Sequence, residues 1–231
     1  MLYNILLLAL SLPRRLLSLP RRILRPIEQR IFKLREERQE KSFREDLART
    51  EGYSFTYDWM SQHIPNWLAW LASFRNQPGV RMLEIGSYEG RSAIWFLENI
   101  LSDPTAHLTC IDLFSQPGGL RFDHNLRVSG QRNKVTKIQG HSVDILPGVV
   151  PSSMDIIYLD GSHRACDVLM DGALGWRLLK PAGVMIFDDY VYHELAASER
   201  PQTATDLFLE MCAGQYTLLS KGDQVAIRKQ S

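Results

Sequence analysis

Cysteine is scarce in this chain of 231 residues, with three in all, Cys110, Cys166 and Cys212. They are widely spaced and odd in number, which excludes a CxxC metal knuckle and a disulfide framework and points to a reducing compartment. Each falls in an apolar stretch, so all three read as small buried hydrophobes. A membrane-spanning run is also missing. Met1 to Leu12 is mostly Leu and Ile, but about twelve helical residues cover only about 18 Å of a hydrocarbon core near 30 Å. Long internal repeats and low-complexity tracts are absent too.

Net charge is only +1, yet it is unevenly spread. Residues 1–49 hold 12 Lys/Arg against 6 Asp/Glu, while residues 50–231 hold 15 against 20. The body is therefore mildly acidic and offers no nucleic-acid surface. The basic leader carries two copies of one pentapeptide, Ser11-Leu12-Pro13-Arg14-Arg15 and Ser18-Leu19-Pro20-Arg21-Arg22. Arginines after the apolar stretch, rather than before it, do not make a secretory signal. Two readings stand for residues 1–26: peripheral contact with an anionic bilayer, or a disordered or partner-packed segment broken by its prolines. The expected location is the cytoplasm or the membrane surface facing it.

From Ile27 to Arg49 charges alternate around Ile31, Phe32, Leu34, Phe43 and Leu47, as on an exposed connector helix. Tyr57 to Phe74 carries an aromatic stripe near helical spacing, read as core or as a substrate wall. Residues 27–79 thus form a helical extension before a catalytic domain over 80–231. In that domain short apolar strands (Val80–Ile85, Leu108–Leu113, Val135–Gln139, Ile156–Leu159, Val184–Phe187) alternate with helices (Arg91–Leu101, Leu120–Val128, Arg164–Leu179, Thr205–Ala213). The alternation predicts an α/β fold with a parallel sheet and helices on both faces. Tyr216–Leu219 and Gln224–Arg228, around Lys221-Gly222-Asp223, predict a closing antiparallel hairpin.

The first strand runs into Glu84-Ile85-Gly86-Ser87-Tyr88-Glu89-Gly90-Arg91-Ser92. Gly86 permits a tight bend and close approach of a ligand. The next helix offers its first N–H groups to a carboxylate, and Glu84 can accept from an ammonium. A ligand that is both amine and carboxylate suits this loop better than a pyrophosphate, since the Gly-x-Gly-x-x-Gly fingerprint is missing. Asp112, at the end of the second strand, stands where ribose hydroxyls usually lie.

Two further strands end in Asp160-Gly161-Ser162-His163 and Asp188-Asp189-Tyr190. Neighbouring strand ends would gather three carboxylates that repel one another unless a cation or protons intervene. Hard oxygen ligands select Mg²⁺ or a similar divalent cation. Chelation would acidify adjacent hydroxyls, and His163 could take the proton. The bland readings are that Asp188 or Asp189 caps a turn, Ser162 caps the helix at Arg164 and His163 is a first-turn residue. His63, His124 and His193 have no assigned role, and Asp167 and Asp171 read as a solvated helix face. Phe114 to Gly119 reads as a lid and Tyr190 to Thr203 as a specificity loop.

With these motifs in order, Arg81 to Arg228 resembles the class I S-adenosylmethionine-dependent methyltransferases, and is most similar to the macrocin O-methyltransferase-like and catechol O-methyltransferase-like branch. The resemblance implies a Rossmann-like seven-stranded sheet. It implies a donor site in which Glu84, Gly86, Ser87, Tyr88, Gly90 and Ser92 hold the methionine part and Asp112 the ribose. Gly140, His141 and Ser142 would lie beside the adenine, with Asp160 bordering the donor. It further implies Asp160, Asp188 and Asp189 as Mg²⁺ ligands and His163 as base, in methylation of a vicinal diol such as that of a sugar or glycoside. Catechol-type enzymes tend to place Lys and Asn where this chain has His163 and Asp189, which favours the sugar-modifying branch. The alternatives are a metal-independent small-molecule methyltransferase and a non-catalytic, membrane-associated S-adenosylmethionine-binding protein. A homo-oligomer is compatible with all three.

Overall fold

The computed structural model describes residues 21–230. Most of the leader, residues 1–20, and with it most of the expected bilayer contact, lies outside the described residues. Among the described residues no helix is long and apolar enough to cross a membrane. The chain divides into two compact units, residues 1–50 and 51–231.

Among the described residues, the first unit holds one helix, α1 (Arg21–Ala48). It is polar and exposed, as the alternating charges predict, with Arg44 paired to Glu40 at 2.6 Å. Such exposed pairs at i,i+4 spacing contribute only about 0.3–0.5 kcal/mol.

The second unit begins with a short helix, α2 (Ile64–Trp70), flanked by single 3₁₀ turns. Then follow β1 (Arg81–Ile85), α3 (Arg91–Asn99), β2 (His107–Asp112), α4 (Gly118–Val128), β3 (Val135–Gln139) and α5 (Ser142–Ile145). After these come β4 (Met154–Leu159), α6 (Ala165–Leu178), β5 (Leu179–Phe187), α7 (Pro201–Met211), β6 (Tyr216–Lys221) and β7 (Val225–Lys229). The strands form one sheet in the order β3-β2-β1-β4-β5-β7-β6. The first five are parallel, and β7 runs antiparallel to both β5 and β6. This is the seven-stranded Rossmann-like sheet that the resemblance implies, with its closing hairpin.

Covering on both faces explains why the central strands read as unbroken apolar runs. Met82, Ile156 and Tyr158 face one core, with Trp67, Phe96 and Leu97. Leu83, Ile85, Ile157 and Leu159 face the other, with Leu178, Phe187 and Phe208. The aromatic stripe thus divides. Trp67 is fully buried against Phe96 and Tyr158, whereas Trp59 stays 64% exposed.

Three expectations need correction. Cys166 is exposed, unlike Cys110 and Cys212, because it sits at the solvent side of the first turn of α6. The segment Phe114 to Gly119 is not a free lid. Phe114 is buried, and Gly118 and Gly119 already belong to α4, packed against the Tyr88 ring and the Phe114 backbone respectively. Asp171, finally, is not solvated but buried.

Candidate active site

The parallel ladder continues past the strand ends and lines up the functional loops. Gly86 N–H donates to the Ile111 carbonyl at 2.9 Å, Asp160 N–H to Ile85 at 2.8 Å and Asp188 N–H to Leu159 at 2.9 Å. Gly140 N–H likewise donates to the Asp112 carbonyl at 3.0 Å. Every loop singled out in the sequence therefore leaves the same edge of the sheet, where open α/β folds bind ligands.

Gly86 has φ +83°, and a Cβ there would lie 1.9 Å from the Asp160 carbonyl oxygen. The glycine is needed for the close approach of β1 and β4 loops. Beneath the loop Glu84 is fully buried. It accepts from the hydroxyls of Ser87 at 2.5 Å and Ser92 at 2.6 Å, and from the Cys110 thiol. Burial pushes its carboxyl up to about 7, against these donors. Asp112 clamps the loop from the side. Its Oδ2 accepts the backbone N–H of Ser87 at 2.8 Å and of Tyr88 at 2.9 Å, and its Oδ1 that of Phe114 at 2.6 Å. Tyr88 and Phe114 both adopt positive φ, a conformation bulky side chains hold only where surroundings enforce it.

Beside this loop lies a cavity of about 390 Å³, within the range of small-ligand sites. Gly86, Asp112, Gly140, His141 and Ser142 line it, together with Gly161 and Ser162. Its apolar wall includes Ile85, Ile111, Val143 and Met170. Asp167 and Asp171 also face it, while no Lys or Arg is found among the described lining residues. Glu84, Ser87, Tyr88, Gly90 and Ser92 are not among the lining; they build and hold the loop.

Asp171 went unseen in the sequence because a helix face cannot be assigned without knowing what covers it. Here α6 turns it under Ser142, and burial pushes its carboxyl up to about 6, partly countered by the Ser142 hydroxyl. The folded chain thus binds this proton more tightly than the unfolded chain does. Its stability accordingly falls as pH rises from about 4 to about 6, and stays at the lower level above. Asp171→Asn removes that charge. The variant should melt higher than the parent at pH 8, by on the order of 1–3 kcal/mol, and the two should converge near pH 4. A variant less stable at every pH would show that the ionised acid supports the fold.

The second cluster stands at the ends of β4 and β5. Tyr158 donates its hydroxyl to Asp188 Oδ2 and lies 3.2 Å from Asp160 Oδ2. Burial and the flanking carboxylates push this phenol well up, so it serves as a donor. Burial raises Asp160 strongly, reinforced by Asp188 and Asp189, and Asp188 is raised by burial and by Asp189. Two half-buried carboxylates in this state share protons or take up a cation. Asp189, with φ +56°, turns its carboxylate to His163 Nε2 at 2.8 Å. That bond, with Asp188 behind it, holds the imidazole above its ordinary value, and the ring stacks on Tyr192 at 4.5 Å.

All four expected residues are thus brought together. Among the described residues, however, no three His, Cys, Asp or Glu side chains form a set that could hold one metal ion. Asp189 faces His163 instead. Ser162 does not cap α6 directly, whose N-cap is Arg164; its hydroxyl accepts from the Arg164 N–H and donates to Asp167. His124 is buried and bonded to the Gly52 carbonyl, and His63 is buried beside Trp67.

Residues 83–190 match the family model described as a methyltransferase domain. An O-methyltransferase of Aspergillus hancockii, hkm8, is 28% identical over 130 residues, 55% of this chain and 50% of its own length. The chain therefore spans about half the length of that curated relative. An O-methyltransferase from Bacillus cereus, solved with S-adenosylhomocysteine, is 16% identical with a TM-score of 0.59, covering 81% of this chain and 91% of that one. MycE, a methyltransferase of the mycinamycin biosynthetic pathway solved with Mg and S-adenosylhomocysteine, is 17% identical with a TM-score of 0.57, covering 75% and 50%. Residues 83–190 are thus similar to a methyltransferase domain, and they lie on a Rossmann-like sheet.

Proposed function

We propose that the protein is an S-adenosylmethionine-dependent O-methyltransferase whose acceptor hydroxyl is activated at the Asp160–His163–Asp188–Asp189 edge. One observation carries this reading. An acid-lined cavity with no Lys or Arg among its described lining opens on the same sheet edge as two carboxylates, Asp160 and Asp188, that meet at the Tyr158 hydroxyl. A cavity of that character favours a cationic, sulfonium-bearing nucleoside over a dinucleotide pyrophosphate. The similar proteins named above include O-methyltransferases and structures holding S-adenosylhomocysteine or Mg, which agrees with the reading.

When bound, the donor supplies a methyl group on sulfur, and Mg²⁺ acidifies chelated hydroxyls. The residues present fit such an ion by their chemistry. Asp160 and Asp188 would supply hard oxygens whose mutual repulsion a cation relieves, while Asp189 stays on His163. His163 carries its proton on Nε2 toward Asp189, which leaves Nδ1 to take the acceptor's proton. The deprotonated hydroxyl oxygen would then take the methyl carbon from a bound donor, the carbon–sulfur electrons staying on sulfur. A vicinal diol, such as that of a sugar or glycoside, is the acceptor class this arrangement suits.

The His163–Asp189 pair favours a second reading, metal-independent base catalysis, since the pair is complete without an ion. One assay separates the two. Excess EDTA should abolish methyl transfer to diol acceptors, with activity restored by added Mg²⁺. Full activity in EDTA would leave the His–Asp pair as the whole of the activating machinery.

A further inference from the structure

The residue after the terminal turn, Gln224, reads in the sequence as nothing more than the start of a strand. In the fold it is 2% exposed and stands at the acid cluster. The antiparallel register sets Phe187 opposite Val225, which brings the next pair, Asp188 and Gln224, across from each other. Trp67 Nε1 donates to Gln224 Oε1 at 2.8 Å. An indole N–H only donates, so the amide oxygen must face Trp67 and the amide NH₂ must face away. On that side is Asp188, whose carboxyl Gln224 holds down, although Nε2 completes no well-aligned hydrogen bond.

We propose that Trp67, Gln224 and Tyr158 are positioning residues that fix the Asp188 carboxylate at the reaction edge. Two donors hold that group, the Tyr158 hydroxyl on Oδ2 and the Asp189 backbone N–H on Oδ1 at 2.8 Å, and the register sets Gln224 opposite it. Packing alone does not select a glutamine here. A buried amide nitrogen short of a full bond weakens the fold, and methionine would fill the same space without that cost. Trp67 and Gln224 lie outside the matched residues 83–190, one before and one after, so the flanks of the domain complete its site.

The proposal rests on Asp188 belonging to the acceptor site, and its test keeps the two apart. Gln224→Met should lower kcat by about 10–100-fold, as loss of a supporting partner typically does, with the donor KM unchanged. Crystals of this variant should show the Asp188 carboxylate displaced from Tyr158. Trp67→Phe frees the amide to turn and should give a smaller loss of the same kind. The double variant should be no worse than Gln224→Met, because both act through one amide. An unmoved Asp188 in the Gln224→Met crystal, or strictly additive losses, would overturn the proposal. If the parent protein methylates no diol, the functional reading fails, while the crystal comparison still decides the positioning.

Discussion

Alanine at position 86 should leave a protein that neither holds its fold nor binds the donor. Its Cβ would sit 1.9 Å from the Asp160 carbonyl oxygen and 2.6 Å from the Gly161 Cα. Both are backbone atoms of a neighbouring strand end, so no side chain can swing aside. The positive φ adds about 1–2 kcal/mol for any residue with a Cβ. Separating β1 from β4 at this edge would also break the Asp160-to-Ile85 bond. Together these place the loss above about 4 kcal/mol, the range reserved for named structural faults, or a drop in Tm of roughly 10 °C or more. Gly79 is the control. It has φ +73° but nothing within 4 Å of its built Cβ, so Gly79→Ala should show the strain alone. Thermal melts of the two variants side by side check the comparison, and equal shifts would refute the steric account.

Removing His163, the proposed proton acceptor, should have the next largest effect. His163→Ala should cut kcat about 10²–10⁴-fold, the usual contribution of a positioned acid–base group, with donor affinity held. His163 is half-exposed, at 47% for its side chain, so its loss costs little stability. Asp188→Ala should be as damaging to turnover while cofactor binding persists, because Asp188 does not line the cavity. Calorimetry with S-adenosylhomocysteine and a radiolabelled methyl assay measure the two halves. A His163→Ala variant with parental kcat would remove histidine from the chemistry altogether.

Much of this site could be read in the chain before any coordinates, for definite reasons. Strands buried on both faces announce themselves as apolar runs, and each run ends where a polar loop begins. Asp160, His163, Asp188 and Asp189 were found because they directly follow such runs. The rest depends on tertiary contact. Nothing local says that Trp67 reaches Gln224, more than 150 residues later. Asp171 and Cys166 sit on one helix with similar neighbours, yet one is buried and the other exposed. What decides between them is the Ser142 segment packed on α6. The Phe114–Gly119 stretch misled because Gly and Pro signal both open loops and close backbone packing.

The position of β7 has a consequence for how the protein is made. Residues 225–229 do not sit at the margin of the sheet but between β5 and β6. A nascent chain stalled before them would present the long flank of β5 as an open template for pairing with other chains. It would also have its cavity before the β5–β7 pairing sets Gln224 opposite Asp188. Synthesis therefore completes the cavity before the Asp188 end of β5, and a chain stopped short would leave β5 without the strand that covers it.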